Sequence, residues 1–349
     1  MAELAVERVR LRLRAPLQTA WGGLAVRELV RVRLRFSGDD WGDGEAAPLE
    51  PYDGVPLATV LAALDAYGAI LAEAGPGDGH EALLSACRAE RPLPQALAAI
   101  DLALWDRAGR RAGQPVSALL AQRGSLPLAL PVNALVGAAD RAGAAAAAGR
   151  AAAEGFSCVK VKVGVGDDAG RLAAVRAAVG PDVAIRADAN GAWRSPGEAL
   201  ANLRALAPLE LELCEEPVHG VEALHAVRAE SPVRVAMDET AAPGSGAADA
   251  VCLKIARSGG ISGLLADART AREAGADVYV ASSFDGPLGI AAGLHAAAAL
   301  AEGGPLLSCG LATLAAFEDA GPVELAPRGG EIAVPRGPGL LGDGAPGPP

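Results

Sequence analysis

Lysine is scarce in this chain. The 349 residues include three lysines, Lys160, Lys162 and Lys254, although lysine and arginine together number 31. An arginine side chain stays protonated in proteins, whereas a lysine can release its proton where its surroundings lower its pKa. A chain that uses arginine almost everywhere else therefore keeps lysine where a proton has to be transferred. The three lysines are candidate acid–base residues.

Other missing features exclude whole classes of protein. No charge-free apolar run reaches the roughly 18 to 20 residues that a membrane-spanning helix needs, and the first residues lack the basic and apolar parts of a secretory signal. The net charge is −11, with no basic stripe, which argues against a nucleic-acid partner. We therefore expect a soluble, cytoplasmic protein that binds neither membranes nor nucleic acids.

Cysteine and histidine show no metal-binding pattern. The five cysteines are widely spaced and include no Cys-x-x-Cys pair, and the four histidines lack ligand spacing. Four of the cysteines fall in apolar runs typical of strands. We expect the cysteines to be reduced core residues and the histidines to be structural or exposed.

Short apolar runs recur from about residue 131 onward, with helical patterns between them. The eight strand candidates are Pro131–Val136, Cys158–Val163, Val183–Ala189, Leu211–Glu216, Arg234–Glu239, Ala250–Ile255, Asp277–Ser283 and Leu306–Gly310. Eight parallel strands that alternate with helices predict a TIM-type α/β barrel. The connection Thr240–Ala248 is rich in alanine, glycine and proline, and it is predicted to hold at most one helical turn.

The first part of the chain follows a different pattern. Val6–Leu13 and Leu29–Phe36 alternate apolar residues with arginine, as half-buried antiparallel strands do. Leu57–Ala74 and Pro94–Ala112 have helical periodicity. The predicted organisation is an α+β domain over residues 1–122, a barrel over 123–325, a C-terminal segment over 326–341 that returns to the first domain, and a disordered tail over 342–349.

Polar residues stand at the carboxyl ends of successive predicted strands. In a barrel these ends open onto one face, where active sites are built. Lys160 and Lys162 share one face of the second candidate strand because side chains alternate along a strand. The next four strands end with Asp188, with Glu215 and Glu216, with Asp238 and Glu239, and with Lys254.

Three carboxylates from adjacent strands can converge on one point. Hard oxygen ligands without histidine or cysteine suit Mg²⁺, with Mn²⁺ as an alternative, and we assign Asp188, Glu215 and Asp238 as ligands. Taken singly, Asp188 could instead cap a helix, and Glu216 or Glu239 could hold a lysine from outside the ligand set. The ordered set of acid, acid, acid and lysine, after a strand with two lysines, favours the metal site.

A divalent cation flanked by lysines is suited to removing the proton next to a substrate carboxylate, since the metal stabilises the enediolate that results. The lysine that acts as base needs a lowered pKa, which burial and nearby positive charge provide. Lys160 and the metal would act in this way on Lys162. Arg257 would do the same for Lys254 or, as a loop residue, would bind a substrate carboxylate or face solvent.

Seven stretches resemble the enolase superfamily and, within it, the muconate-lactonizing-enzyme-like subgroup. They are Val159–Lys162, Ala187–Trp193, Cys214–Pro217, Ala236–Thr240, Val251–Lys254, Gly42–Pro48 and Ala98–Asp106. The likeness covers about residues 4 to 342. It implies a modified (β/α)7β barrel with an N-terminal α+β capping domain. It also implies a Mg²⁺ ion on the three assigned carboxylates, with Lys162 and Lys254 on opposite faces of the substrate.

The resemblance also implies roles for neighbouring residues and an oligomeric state. Lys160 would assist electrostatically, and Asn190 and Glu239 would lie close to the site. Apart from the resemblance, we expect Glu216 to support the ligands from outside the ligand set. Members of the superfamily form dimers or octamers, so a homo-oligomer that acts on a small carboxylate substrate is expected.

The residues at the ends of the last two predicted barrel strands narrow the set of possible reactions. Acid-sugar dehydratases and mandelate racemases place a histidine where this chain has Ala281–Asp285, and dipeptide epimerases typically carry an Asp-x-Asp pair that Leu307–Leu311 lacks. The runs Ser282–His295, Cys309–Leu314 and Val334–Gly339 look most like o-succinylbenzoate synthases. The reaction implied is a syn dehydration that forms o-succinylbenzoate, a step of menaquinone biosynthesis, which makes the enzyme a lyase.

Four alternatives remain open. Racemisation of N-acylamino acids, such as N-succinylamino acids, and muconate-type cycloisomerisation use the same machinery. A barrel aldolase or decarboxylase would use one lysine as a Schiff base. A non-enzymatic binding function would not explain why the chain has the three carboxylates and the few lysines at these strand ends.

The substrate contacts are predicted in two places. Ser282, Ser283 and Asp285 follow the seventh strand, where hydroxyl groups and the free N–H groups of the next helix could bind a second substrate carboxylate, as on a succinyl tail. Trp21 lies in Gln18–Gly23, a loop that covers the substrate in the family.

Overall fold

The structure is a computed structural model that describes residues 2–19, 22–137, 140–304, 306–319 and 321–342. Trp21 and residues 343–349 of the predicted tail lie outside the described residues. Among the described residues, no helix combines the length and the apolar character that crossing a membrane requires.

A three-stranded antiparallel sheet opens the chain. Its strands are β1 Glu3–Thr19, β2 Gly22–Ser37 and β3 Asp40–Ala46, in the order β1-β2-β3. The predicted strands Val6–Leu13 and Leu29–Phe36 lie within β1 and β2, which pair from Glu3 opposite Arg35 onward. The two strands are longer than predicted because they continue as a ribbon past an irregularity between Arg12 and Leu17.

Five helices follow this sheet. They are α1 Glu50–Asp53, α2 Leu57–Ala72, α3 His80–Glu90, α4 Pro94–Ala112 and α5 Val116–Leu120. Helix α4 has the predicted bounds: it begins with a proline, whose missing N–H costs nothing in a first turn, and ends before Gly113 at φ 63°. Val32 and Leu34 of the sheet pack with Leu64 and Ile100 of the helices in a core of their own.

The second part of the chain alternates strands and helices. Its strands are β4 Ala129–Pro131, β5 Ala134–Val136, β6 Cys158–Lys162, β7 Ala184–Asp188, β8 Leu213–Glu215, β9 Val235–Met237, β10 Ala250–Lys254, β11 Asp277–Ala281 and β12 Glu331–Ala333. Its helices are α6 Arg141–Ala153, α7 Asp168–Val179, α8 Pro196–Leu206, α9 Val221–Glu230, α10 Ile255–Ser258, α11 Ile261–Glu273 and α12 Pro287–Glu302. Short 3₁₀ turns occupy Ala207–Leu209, Pro243–Ser245, Ala312–Ala316 and Val323–Leu325.

Strands β5 to β11 form one curled parallel sheet in the order β11-β10-β9-β8-β7-β6-β5. The predicted eighth strand is reduced to single parallel bridges, from Leu306 to Val278, from Gly310 to Ala281 and from Cys309 to Val132. These bridges link the two edges of the sheet. The predicted first strand is also interrupted: Ala129–Pro131 pairs with β12, and Ala134–Val136 pairs with β6. The expected modified barrel with an N-terminal α+β domain is confirmed.

Two connections matter for the site. The link between β9 and β10 holds only the 3₁₀ turn Pro243–Ser245, which agrees with the prediction of a single turn. The C-terminal segment reaches the first domain, where the N–H of Val116 donates to the carbonyl of Gly339 at 3.1 Å. Strand β12 pairs with β4 on the way.

The barrel interior is filled by small side chains and one large one. Ala236, Ala250 and Ala281 pack there with Leu213 and Tyr279. All five cysteines are buried and free, which agrees with their prediction as reduced core residues. The interior also holds the buried side chain of Arg186, which contacts Glu212 and the Ser308 carbonyl, and the Tyr279 hydroxyl reaches Glu215.

Candidate active site

The acidic residues and lysines lie at one end of the curled sheet. Asp188 and Glu215 are the last residues of β7 and β8, Asp238 follows β9 directly, and Lys254 ends β10. Lys162 ends β6 and pairs in register with Asp188. Because parallel strands end at the same edge, the tertiary structure brings these side chains together.

Two of the three lysines are held by the carboxylates. The Lys160 ammonium lies 2.7 Å from Glu215 Oε1 and 3.0 Å from Asp188 Oδ2. The Lys254 ammonium contacts both carboxylate oxygens of Asp238. Each lysine therefore balances negative charge that is buried under the site.

The ion pairs divide the lysines into two kinds. Burial lowers the pKa of Lys254, but the groups around it, Asp238 first among them, together raise that pKa well above its ordinary value. In the same way burial lowers the pKa of Lys160, and the surrounding groups, led by Asp188 and Glu215, together raise it well above its ordinary value. The pKa of Lys254 is therefore raised, and not lowered as we expected from Arg257.

Lys162 behaves differently. Burial lowers the pKa of Lys162, and the Lys160 charge acts in the same direction, against Asp188 and Glu239. Within the part of the chain that the structure describes, its ammonium makes no hydrogen bond and no ion pair. Lys162 is therefore the lysine that releases a proton most readily.

The carboxylates form a set of donors that fits a hard divalent cation. Glu215, Asp238 and Cys252 offer ligand atoms that all lie within 4.8 Å of one another, and all three residues are buried. Burial raises the pKa of the Cys252 thiol well above its ordinary value, which keeps it protonated and leaves the carboxylates as donors. Among the described residues this group does not include the predicted ligand Asp188, which contacts the Lys160 ammonium that Glu215 also contacts. Buried carboxylate oxygens are the donors that Mg²⁺ prefers.

Glu216 braces the loop that carries Asp238. Its Oε2 accepts the backbone N–H of Asp238 at 2.8 Å, and its Oε1 accepts the N–H of Thr240 at 3.0 Å and contacts His219 at 3.1 Å. Glu216 has φ 40°, in the left-handed region that is costly for a side chain of this kind. Its backbone is therefore held in a strained shape at the point where its carboxylate supports the site.

Asn190 and Glu239 meet beside the carboxylates. The Asn190 amide donates to Glu239 Oε1 at 3.0 Å, and Asn190 also has a left-handed backbone, with φ 45°. The other oxygen of Glu239, Oε2, is buried without a hydrogen-bond partner among the described residues. A buried carboxylate oxygen without a partner is costly, so this side chain is poised to accept from a ligand.

Tyr52 reaches the site from helix α1 of the first domain, and no pattern in the sequence pointed to it. Its hydroxyl donates to Asp238 Oδ1 at 2.6 Å and accepts from Lys254 at 2.7 Å. Burial raises the pKa of the Tyr52 phenol, so it stays a donor. A cavity of about 480 Å³ opens beside it, lined by Tyr52, Asn190, His219, Gly220, Val221, Glu239 and Thr240. His219, which is exposed as expected, forms part of this cavity wall.

Arg257 supports the site without facing it. Its guanidinium donates to the Tyr52 hydroxyl at 2.9 Å and to the carbonyls of Asp238 at 3.2 Å and Glu239 at 2.8 Å. These contacts hold the loop after β9 against α1. They give no support to the prediction that Arg257 binds a substrate carboxylate.

The residues after β11 are also engaged by the protein. Ser282 shares a hydrogen bond of 2.6 Å with Thr313, and the N–H of Ser283 donates to Asp285 at 3.1 Å. The N–H of Gly286, at the start of α12, donates to Glu45 of the first domain at 2.7 Å. The N–H groups that we expected to bind a second substrate carboxylate already have partners, so this placement does not support Ser283 and Asp285 as substrate contacts.

Residues 143–341 match the family described as enolase C-terminal domain-like. Residues 1–121 match the mandelate racemase / muconate lactonizing enzyme N-terminal domain.

Two curated relatives are similar over part of their length. N-succinyl-L-Arg/Lys racemase of Bacillus cereus is 32% identical over 217 residues, 59% of this chain and 58% of that protein. The o-succinylbenzoate synthase of Thermobifida fusca is 37% identical over 198 residues, 53% of this chain and 60% of that protein. The matched stretches therefore span about three fifths of these two relatives.

Solved structures match over nearly the whole chain. The B. cereus racemase superposes with a TM-score of 0.88 at 26% identity, covering 97% of this chain and 94% of the other. A dipeptide epimerase of Enterococcus faecalis, complexed with Mg and the dipeptide L-Leu-L-Tyr, superposes with a TM-score of 0.87 at 26% identity, covering 97% and 98%. The relatives thus include a synthase, a racemase and an epimerase.

Proposed function

Because the chain belongs to the enolase superfamily, in its mandelate racemase / muconate lactonizing enzyme branch, we propose that it uses Mg²⁺ to remove a proton next to a substrate carboxylate. Its relatives share this acid–base chemistry. We propose syn dehydration of 2-succinyl-6-hydroxy-2,4-cyclohexadiene-1-carboxylate to o-succinylbenzoate.

One observation supports the proton abstraction most directly. In the sheet order, β7, β8 and β9 carry Asp188, Glu215 and Asp238, and they lie between β6 with Lys162 and β10 with Lys254. A substrate carboxylate placed over the three acids would have one lysine on each side. Mg²⁺, when bound by the three carboxylates, supplies the positive charge that makes the neighbouring carbon acidic.

The two flanking lysines then have different tasks. Lys162, half-buried and unpaired among the described residues, removes the proton alpha to the ring carboxylate. Lys254 keeps its proton and stabilises the negative charge that develops on the substrate. The proton taken by Lys162 is then returned to the departing hydroxide, which leaves as water and completes a dehydration.

This division of labour favours dehydration over racemisation. A syn dehydration needs one base, whereas racemisation needs a lysine on each face to exchange protons in turn. Among the described residues Lys162 is free of an ion pair, whereas Lys254 contacts Asp238, a contact for which Mg²⁺ on Asp238 would compete. The identity of 37% to the T. fusca synthase points the same way.

Racemisation of N-succinylamino acids is the second candidate, because the B. cereus racemase shares the fold over 97% of this chain. Its signature would be solvent deuterium that enters an N-succinylamino acid from both enantiomers. Exchange with neither enantiomer would count against it. Muconate cycloisomerisation would be seen as loss of muconate absorbance.

The deciding experiment follows the loss of the cyclohexadiene absorbance when the purified protein, with Mg²⁺, meets the o-succinylbenzoate precursor. The control is the same protein after treatment with EDTA. Rapid, metal-dependent turnover is expected. Absence of turnover with Mg²⁺ present would overturn the synthase assignment and direct the search to N-succinylamino acids.

A further inference from the structure

Tyr279 crosses the interior of the barrel to reach Glu215. It stands in the middle of β11, while Glu215 ends β8, which is three places away in the sheet order. The Tyr279 hydroxyl donates to Glu215 Oε2 at 2.6 Å, and the tyrosine is 1% exposed. This hydrogen bond therefore joins opposite walls of the barrel below the candidate metal site.

The two oxygens of Glu215 have separate partners. Oε2 accepts from Tyr279, and Oε1 accepts from Lys160 at 2.7 Å, the same ammonium that contacts Asp188. Rotation of the carboxylate would break one of these contacts. Tyr279 thus fixes which oxygen of Glu215 is turned towards Asp188.

Arg186 holds the tyrosine ring from the other side. It is fully buried, its guanidinium carbon lies 4.7 Å from the centroid of the Tyr279 ring, and it donates to the Ser308 carbonyl at 2.7 Å. It also contacts the carboxylate of Glu212. A stacked guanidinium that is anchored in this way leaves the ring little freedom to turn.

We propose that Tyr279 is a positioning residue for metal binding: its hydroxyl holds Glu215 in the orientation in which one oxygen points to the cation. The inference rests on the proposed function, in which Glu215 is a metal ligand. Partners that orient a metal ligand from outside typically change metal affinity by about 10- to 100-fold when they are removed.

Metal affinity tests the inference without substrate. Free Mn²⁺ is measured by electron paramagnetic resonance during titration of the wild type and of Tyr279→Phe. We expect the Kd for Mn²⁺ to rise by about 10- to 100-fold in Tyr279→Phe. The matched control is Tyr67→Phe, which removes another fully buried tyrosine hydroxyl, one that donates to the Arg91 carbonyl in the first domain. It should bind Mn²⁺ as the wild type does.

A double-mutant cycle separates positioning from general loosening of the barrel. In a Glu215→Ala background the Tyr279 hydroxyl has lost its acceptor, so adding Tyr279→Phe should leave the Mn²⁺ affinity unchanged. If Tyr279→Phe lowered the Mn²⁺ affinity of Glu215→Ala as much as it lowers that of the wild type, the tyrosine would act through the barrel as a whole. That result would overturn the inference.

Should Tyr279→Phe fail to fold, the inference can still be tested through the tyrosine absorption of the Tyr52→Phe protein. That variant lacks the other tyrosine hydroxyl that contacts a candidate ligand, so a change in the band is easier to assign to Tyr279. Binding of Mg²⁺ draws electron density from Glu215 and weakens its hydrogen bond from Tyr279, so the tyrosine absorption band should shift. An unchanged band at saturating Mg²⁺ would contradict the inference. Failure of the wild type to bind Mn²⁺ would overturn the metal-dependent function itself, whereas equal affinities of wild type and Tyr279→Phe would overturn only the role of Tyr279.

Discussion

The hydroxyl of Tyr52, in the first domain, donates to Oδ1 of Asp238, in the barrel, at 2.6 Å. The same hydroxyl accepts from Lys254 and Arg257 at 2.7 and 2.9 Å. One side chain of the first domain therefore joins a candidate metal ligand to a candidate acid–base lysine. The site is complete only when helix α1 is docked on the barrel.

Replacement of Tyr52 by phenylalanine should lower kcat/KM for the dehydration by about 5- to 150-fold. The change removes one of the acceptors of Lys254 and of Arg257, and it removes the donor to Asp238, a loss of about 1–3 kcal/mol. Steady-state kinetics with the synthase substrate measure it, and Tyr67→Phe serves as the control. Unchanged kinetics in Tyr52→Phe would show that the hydroxyl has no part in the reaction.

Replacement by arginine, which cannot act as a base, should lower activity more at Lys162 than at Lys254. Lys162→Arg keeps the charge but cannot act as a base, so kcat should fall by about 10²- to 10⁴-fold, the usual range for general-base catalysis. Lys254→Arg keeps the stabilising charge and should retain more activity than Lys162→Arg in a dehydration. Equal and severe losses in both variants would favour the two-base racemase mechanism instead.

Mg²⁺ should stabilise the folded protein. At a concentration of about 100 times Kd the expected gain in the free energy of unfolding is about 2.7 kcal/mol, since the three carboxylates come together only in the folded chain. Thermal melting with Mg²⁺ and with EDTA measures the difference. Asp188→Asn should show a much smaller difference, and a full-sized one would remove Asp188 from the ligand set.

Stability should decline with rising pH because of a buried cluster between the two domains. Burial, with the nearby charge of Asp285, raises the pKa of Glu45 from 4.5 to about 8, against the N–H of Gly286 and the charge of Arg27. The folded state therefore binds more protons than the unfolded state between pH 4.5 and about 8. In that window the free energy of unfolding falls as pH rises, by at most about 1.4 kcal/mol per pH unit for one group.

The Glu45→Gln variant tests this prediction by urea unfolding at several pH values. The decline should flatten in Glu45→Gln, because the group that takes up the proton is gone. Asp285, whose pKa burial raises to about 6, adds a decline of the same sign at lower pH in both proteins. Glu81→Gln, on the exposed surface of α3, should keep the wild-type slope. A slope unchanged in Glu45→Gln would show that this carboxyl does not titrate in the window.

The pattern of strands and helices could be predicted from the sequence, because it depends on residues that are close together in the chain. Helix α4 has the predicted bounds, since a proline begins it and a left-handed glycine follows it. The eighth strand was predicted too long, because whether Leu306–Gly310 forms a ladder or single bridges depends on how the two edges of the sheet meet. Pairing of that kind is not encoded in the periodicity of one segment.

The substrate contacts were the part of the site that the sequence predicted least well. Ser283 and Asp285 were chosen for their polar groups at a strand end, but docking of the first domain takes up that loop. Arg27 donates to the Ser283 carbonyl at 3.1 Å, and Glu45 accepts from Gly286. Tyr52 showed no pattern in the sequence, because its importance comes only from where helix α1 meets the barrel.

The sequence by itself determined the alternation of strands and helices, the order of acidic residues and lysines at successive strand ends, and the superfamily. Each of these depends on residue types at fixed spacing along the chain. Only the tertiary structure decided that Asp238 raises the pKa of Lys254, that Lys162 has no ion pair among the described residues, and that Tyr52 and Tyr279 reach the candidate ligands. These depend on distances between side chains that are far apart in the chain, and such distances exist only after the sheet has curled and the first domain has docked.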